Sequence, residues 1–343
     1  MVGTPPSSTS RRPPSSWPQA LDEVLERSIT AEYATLTRLG RPVTVPTTPY
    51  RSPTGLTIDV STGLTYPAKA ERARRDPRVA LLFADPVGSK ISDAPVALVQ
   101  GLATVRDADL QANTDRYVEL SSRKLPATTK GTPAFVLRRM AWYYARIWIE
   151  VTPLHIRWWP SRALDEPPRN WHAPEGTAAP LSDPAPNGAQ PAPWQEPPPS
   201  WRSVAAYGTG LPMHDLTVVD GNGFPLCVPV TETALTGDGF SLQLGPGAPA
   251  IADGPACVTM HGHAETFTGQ ENRTIVGDIS GVGEAGTVRF HAERALADWS
   301  LAGGRSRAGL SMLAKRRRLG PRLAAEARRR FQPVPVVNLP PRY

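Results

Sequence analysis

The sequence is poor in cysteine, has no long apolar run and shows no patterned catalytic motif, and each shortage excludes something. Two cysteines in 343 residues, Cys227 and Cys257, are too few for a disulfide scaffold and predict a reducing, cytoplasmic setting. The longest apolar run, Val79 to Ala84, falls far short of a membrane-spanning helix. Arg11-Arg12 has the form of a twin-arginine signal, but Pro13 to Gln19 places no apolar segment behind it, so no export signal is expected. No Ser–His–Asp set, paired-carboxylate site or Cys–His arrangement stands out. Acidic residues are outnumbered 31 to 38, which leaves a net charge of +7. Yet Lys315 to Arg330 alone carries eight cations against one carboxylate, Glu326, so the rest of the chain is balanced. Binding to nucleic acid or an anionic surface is therefore confined to the C-terminal segment as an option.

What the chain has in excess is proline: 39 residues, about twice the usual frequency. A hydrophobic fraction of 40% still supports a real core, and the length suggests about two domains. Residues 1–18 are Pro/Ser-rich and expected to be disordered. Leu21, Val24, Leu25 and Ile29 then share one face of a helix. Strand texture follows: Leu56, Ile58 and Val60 alternate with polar residues, and Val79 to Phe83 reads as a strand buried on both faces. Further strands are expected from Pro95 to Val105 and around Ile147, Ile149 and Val151, with a polar helix between them at 107–125. Residues 159–203 are read as a Pro-rich linker, with 12 prolines between 160 and 200. Its tryptophans, Trp171, Trp194 and Trp201, are unusual for a free linker and suggest that part of it lies along a domain surface.

From Val204 the texture repeats. Gly40-Arg41-Pro42-Val43-Thr44-Val45-Pro46 is echoed by Gly223-Phe224-Pro225-Leu226-Cys227-Val228-Pro229 at an offset of 183. Gly55-Leu56-Thr57-Ile58-Asp59-Val60 is echoed one residue out of that register by Gly239-Phe240-Ser241-Leu242-Gln243-Leu244. Two matches in one order predict an internal duplication.

The stretch richest in chemistry runs from Ser61 to Pro77. A strand ends at Ser61-Thr62, Pro67 suits a first helical position, and Pro77 stops the helix about two turns later. Lys69 thus sits in a first turn that faces two hydroxyls, where free N–H groups and the helix dipole favour a phosphate. The alternative is a solvated helix balanced by Glu71 and Asp76.

In order and spacing, Ala34-Thr35-Leu36 to Pro46, Ser61 to Val79 with the strand Ala80 to Phe83, Gly101-Leu102-Ala103, and Arg146 to Pro153 resemble a known family. It is the pyridoxamine 5′-phosphate oxidase-like superfamily of split β-barrels, which includes flavin and deazaflavin oxidoreductases. The resemblance covers about residues 18–158, with a degenerate version over 205–300. It implies a mainly β fold with a few helices: two tandem split β-barrels at 19–158 and 204–305, joined by the linker, with a basic helical tail at 306–343. It also implies a cofactor, FMN by preference and a deazaflavin coenzyme as the alternative. Arg41, Thr44, Val45 and Pro46 would line its ring. Ser61, Thr62 and Lys69 would hold its phosphate, with Arg72 or Arg75 as a second cation. Tyr66-Pro67-Ala68 departs from relatives that carry a basic or small polar residue just before the lysine. Tyr50, Arg51 and Trp148 are substrate-side candidates. Because relatives dimerise around the site, a tandem copy implies an intrachain pseudo-dimer or a homodimer.

The second half lacks this chemistry. Thr231 to Asn272 contains no Lys or Arg, and Gly245-Pro246-Gly247-Ala248-Pro249 stands where the phosphate helix would recur, so one cofactor site per chain is expected. His261-Gly262-His263 places two imidazoles on one strand face, with Cys227, Cys257 and His214 as possible co-ligands. That spacing matches no standard zinc pattern, so structural histidines and no metal or haem are expected. The tail is read as two helical pieces split at Gly320-Pro321, packing through Leu310, Leu313 and Leu323. The expected activity is cofactor-borne hydride or electron transfer to or from a small molecule. Competing with it are a non-catalytic flavin, deazaflavin or haem carrier, and a protein that binds anionic partners through its Arg-rich tail.

Overall fold

A computed structural model describes residues 16–189, 199–281, 283, 286–296 and 305–340, with backbone only for 305–316. The expected disorder of 1–18 and the tail leucines Leu310 and Leu313 thus fall mostly outside the described side chains, although Trp17 is buried. The strands of the first half are β1 (Ala31–Leu36), β2 (Pro42–Thr47), β3 (Tyr50–Arg51), β4 (Ile58–Gly63), β5 (Arg78–Phe83), β6 (Val96–Arg106), β7 (Arg146–Trp159) and β8 (Arg169–His172). Those of the second are β9 (Met213–Val219), β10 (Pro225–Leu235), β11 (Gly239–Leu244), β12 (Gly254–Gly262), β13 (Glu271–Ser280) and β14 (Thr287–Ala295). The α-helices are α1 (Asp22–Arg27), α2 (Ala68–Arg75), α3 (Leu110–Lys124), α4 (Ala134–Arg138), α5 (Ala141–Tyr144), α6 (Trp201–Gly208) and α7 (Arg305–Arg329).

The first sheet runs β2-β1-β5-β6-β7-β4-β3, with β8 added to β7, and the second closes as β10-β11-β14-β13-β12-β9. With β1, β2, β4, β5, β6 and β7 matched in chain order to β9 through β14, the two sheets have the same cyclic strand order. They differ at one place: β10 pairs with β11, whereas β2 and β4 do not pair. The duplication seen in the repeated strings is therefore a duplication of topology. The repeated glycines explain the strings, because Gly40 and Gly223 turn the equivalent hairpins at φ +70° and +78°, where glycine has no Cβ to clash. Each half is a split β-barrel unit, one open and one closed.

β5 is buried on both faces, as its unbroken apolar run requires. Val79, Leu81 and Phe83 enter the core of the first barrel. Ala80 and Leu82, with Ala34, Ala84 and Leu98, enter the core of the second. The barrels are thus packed on each other through the outer face of β1, β5 and β6.

Two segments depart from expectation for the same reason: sequence-distant partners absorb them. Residues 159–189 do not form a free linker. β8 pairs with β7, Leu164 is fully buried, and Thr104 and Val105 hydrogen-bond Pro180 and Ser182 at 2.7 and 2.9 Å. The tail is one helix through Pro321 rather than two pieces. Leu319, Leu323 and Ala327 join the first-barrel core, and that packing offsets the hydrogen bond proline removes.

Candidate functional site

α2 follows the end of β4 as the Pro67 and Pro77 punctuation implies, with Pro67 as the capping residue. Lys69 is half-buried in its first turn and forms no ion pair among the described residues. Burial, reinforced by Arg146 and Arg72, lowers its ammonium to about 7. Arg72 reaches β1, its Nε donating to Thr35 Oγ1 at 2.7 Å, and burial lowers it to about 10. Arg146, at the start of β7, packs its guanidinium 3.9 Å from the Tyr117 ring centre and 5.0 Å from that of Tyr143. Its Nε is buried without a hydrogen-bond partner. Among the described residues no carboxylate pairs with any of these three cations. Glu71, the nearest in sequence, is held instead by Arg330 at 2.9 Å. Three clustered, desolvated cations thus stand without a paired carboxylate among the described residues, an arrangement able to seat a small dianion.

The predicted residues divide around this seat. Ser61 and Thr62 are buried at the end of β4. Thr62 Oγ1 donates to Tyr66 O at 2.7 Å, so it keeps only acceptor capacity for a ligand. Arg75 is exposed at the far end of α2. Val45 is half-buried opposite Tyr33 and shares the β1–β2 face onto which Arg72 reaches. Thr44 and Pro46 lie on the other face. Thr44 Oγ1 is 2.6 Å from Thr217 Oγ1, and Thr44 O accepts from Thr259 and Thr274, all in the second barrel. Arg41 is also committed to the second barrel, pairing with Asp278 at 3.1 Å and Glu293 at 2.9 Å. These three line the seam between barrels rather than the cation cluster.

The substrate-side candidates are placed in the first barrel's interior and at its rim. Trp148 is fully buried, donates to Asp59 at 3.1 Å and stacks on Tyr50 with ring centres 5.5 Å apart. Arg51 lies 3.7 Å from Asp22 and 3.9 Å from Glu26. Arg146 was missed as a site residue because it reads in sequence as one polar position of an alternating strand. The preceding Trp142-Tyr143-Tyr144 is the signal that marks it, since a buried guanidinium needs aromatic faces or anions beside it.

Two arginines of the basic tail meet carboxylates and a third meets a backbone carbonyl where it docks, while Arg317, Arg318 and Arg328 are exposed. Arg330 pairs with Asp107 and Glu326 at 2.7 Å each, Arg329 pairs with Glu326 at 2.7 Å, and Arg322 donates to Thr65 O at 2.6 Å. Beside it, a cavity of about 1060 Å³ is bounded by α3, the 129–134 loop, Tyr144 and residues 338–340.

The strand order defines the class of protein: tandem split β-barrels of the type that the family resemblance implied. No family model matches the sequence, and no curated protein matches it significantly. Among solved structures, an F420 reductase aligns at 21% identity over 41% of this chain and 98% of its own, with a TM-score of 0.31. General stress protein 26 from Bacillus anthracis aligns at 14% over 45% and 96%, with a TM-score of 0.30. A Clostridium acetobutylicum protein of the pyridoxinephosphate oxidase family aligns at 14% over 40% and 84%, with a TM-score of 0.27. Each overlap covers less than half of the chain, and the fold assignment stands on the strand order alone. No helix among the described residues is long and apolar enough to cross a membrane.

Proposed function

We propose that the first barrel binds a phosphate-bearing flavin, FMN by preference and a deazaflavin coenzyme as the alternative, and that the protein is an oxidoreductase acting on a small molecule. The observation that carries this reading is the convergence of Lys69, Arg72 and Arg146 without a carboxylate, beside the Ser61-Thr62 strand end. The residues fit the group at its phosphate end: the orphaned Nε of Arg146 is a donor waiting for an acceptor, and a dianion restores charge to Lys69. When bound, the flavin supplies the hydride or electron transfer. The chain's own work is to hold the phosphate with Lys69, Arg72 and Arg146, to offer Ser61 as a further donor, and to exclude water by packing the second barrel against β2. Arg75, exposed on the same helix, raises the local potential that draws in the anion.

Absorption spectra and titrations with FMN, riboflavin and the deazaflavin coenzyme test this. FMN or the deazaflavin should bind at least tenfold more tightly than riboflavin, and Lys69→Met should narrow the difference, with Arg72 and Arg146 keeping part of it. Equal affinity for FMN and riboflavin would refute the phosphate seat. Turnover with a bound cofactor then separates an enzyme from a carrier.

A further inference from the structure

Away from the cation cluster, the packed faces of the two barrels enclose Glu32 of β1, Asp215 of β9 and His261 of β12. All three are essentially inaccessible to solvent, and one donor atom from each lies within 4.8 Å of the others. His261 Nε2 is 2.6 Å from Glu32 Oε1 and 3.7 Å from Asp215 Oδ2. Glu32 Oε2 and Asp215 Oδ2 accept no hydrogen bond, although both atoms are buried. The other oxygen of Asp215 is occupied, since Arg162 donates to Oδ1 at 3.1 Å. Two carboxylates thus turn bare oxygens toward one imidazole nitrogen in a place that water does not reach.

A buried carboxylate without donors is costly, and an acidic pair of this kind needs a cation. Arg162 supplies one charge on the far side of Asp215, and in the metal-free chain a proton on His261 supplies the other, 2.6 Å from Glu32, at the position a metal ion would take. We propose that Glu32, Asp215 and His261 are a divalent-metal site of the zinc class that joins the two barrels. The donor set, one imidazole and two carboxylates, suits zinc, whose bonds to such ligands are about 2.0–2.2 Å long. Tetrahedral ligands at that distance stand about 3.4 Å apart, so filling the site requires Glu32 and His261 to separate by less than about 1 Å. The surroundings supply an outer support. Asp85 Oδ2 lies 3.9 Å from His261 Nδ1, on the side of the ring turned away from the carboxylate pair. Asp85 is itself held by Val87 N at 2.9 Å and by His263 Nε2 at 3.1 Å. A small approach completes a carboxylate–histidine–metal relay, which orients the ring and strengthens the ligand. His263 remains in that outer layer, because its Nε2 also meets Thr30 Oγ1 at 2.8 Å and its Nδ1 donates to Ala264 O at 2.8 Å. Cys227, Cys257 and His214 are not in the set. The histidine pair read in sequence as structural thus divides into one ligand and one support. Its partner Glu32 was invisible because it stands more than two hundred residues away in the other barrel, and Asp215 joins it only through the pairing of β9 with β12.

The test uses the full chain, stripped with a chelator and titrated with zinc alone. One zinc per chain should bind and raise the melting temperature, and Glu32→Gln, Asp215→Asn and His261→Gln should each weaken binding at least tenfold. A stripped wild-type chain that takes up no zinc at micromolar concentration overturns the site. So does binding that survives all three substitutions, which would point to the stacked His155 and His172 rings, 4.1 Å apart on β7 and β8. Because a variant can fail to fold, zinc-edge X-ray absorption on the wild-type complex gives a second reading. A shell of one imidazole and carboxylate oxygens supports the site, and a shell with two or more imidazoles overturns it.

Discussion

Lys69 makes phosphate binding depend on pH in a way that arginines alone do not. In the ligand-free chain, burial and the neighbouring Arg146 and Arg72 lower its pKa to about 7. A bound dianion favours the charged form, so binding above that pKa must take up a proton. Below pH 7 the ammonium is already present and no proton is needed. Between pH 7 and pH 9 its charged fraction in the free chain falls from about one-half to about one-hundredth. Affinity for FMN should therefore fall about 50-fold over that interval, close to 2.3 kcal/mol. Arg72, lowered only to about 10, stays charged throughout and adds no comparable slope. On the acid side, a phosphate monoester loses its second charge near pH 6, which places the affinity maximum at about pH 6 to 7. The assay is a fluorescence titration of FMN from about pH 5.5 to about pH 9.5 at constant ionic strength, with riboflavin as the phosphate-free control. Lys69→Met should bind more weakly at pH 7 and lose the alkaline slope while keeping the acid one. A flat alkaline limb in the wild type, or an unchanged one in Lys69→Met, refutes the role given to Lys69.

Arg330→Met should destabilise the chain by about 1–3 kcal/mol, because it strips one arginine from Asp107, Glu326 and Glu71 while Arg74 and Arg329 still hold the first two; urea unfolding measures this, and a loss under about 0.5 kcal/mol would show the tail to be loosely docked. Gly247→Ala should also cost more than about 2 kcal/mol, since an added Cβ would collide with the Glu166 carbonyl while Gly247 N donates to Leu164 O at 2.6 Å. Its melting curve should shift without any change in FMN affinity, and a joint loss of both would tie the second barrel to the cofactor.

The parts of the fold that were legible in sequence are those set by local pattern. The all-apolar β5 announced a strand covered twice, and the glycine-turned hairpins announced the repeat, because strand period and positive φ are properties of neighbouring residues. The parts that were not legible depend on partners far along the chain. Eight cations near the C-terminus read as a basic helical tail packing only through its leucines, yet two carboxylates that receive Arg330, those of Asp107 and Glu71, lie more than two hundred residues upstream. The candidate site divides the same way. Lys69 stands out through its helix punctuation, whereas Arg146 gains its meaning from Lys69 and Tyr117, which only the fold brings beside it.

The identical strand order of the two barrels makes their differences informative. After β4 the chain enters α2 and presents Lys69 and Arg72 toward β1. After β11, at the same topological step, it enters Gly245 to Pro249, where no cation exists and the space is already filled. Added Cβ atoms at Gly245 and Gly247 would strike Ala163 and Glu166, and Trp159 Nε1 donates to Gly247 O at 3.0 Å. The segment that leaves the first barrel thus lies on the place where a second phosphate seat would form. This arrangement also secures β7 and the 159–189 segment against the partner barrel. We therefore expect a single functional seat per chain: one copy keeps its cations and leaves β2 and β4 unpaired with each other, and the other gives up both to close its barrel and receive the connecting chain. Restoring a lysine in the 245–249 turn would therefore not create a second site, because the backbone of residues 163–166 would still occupy it.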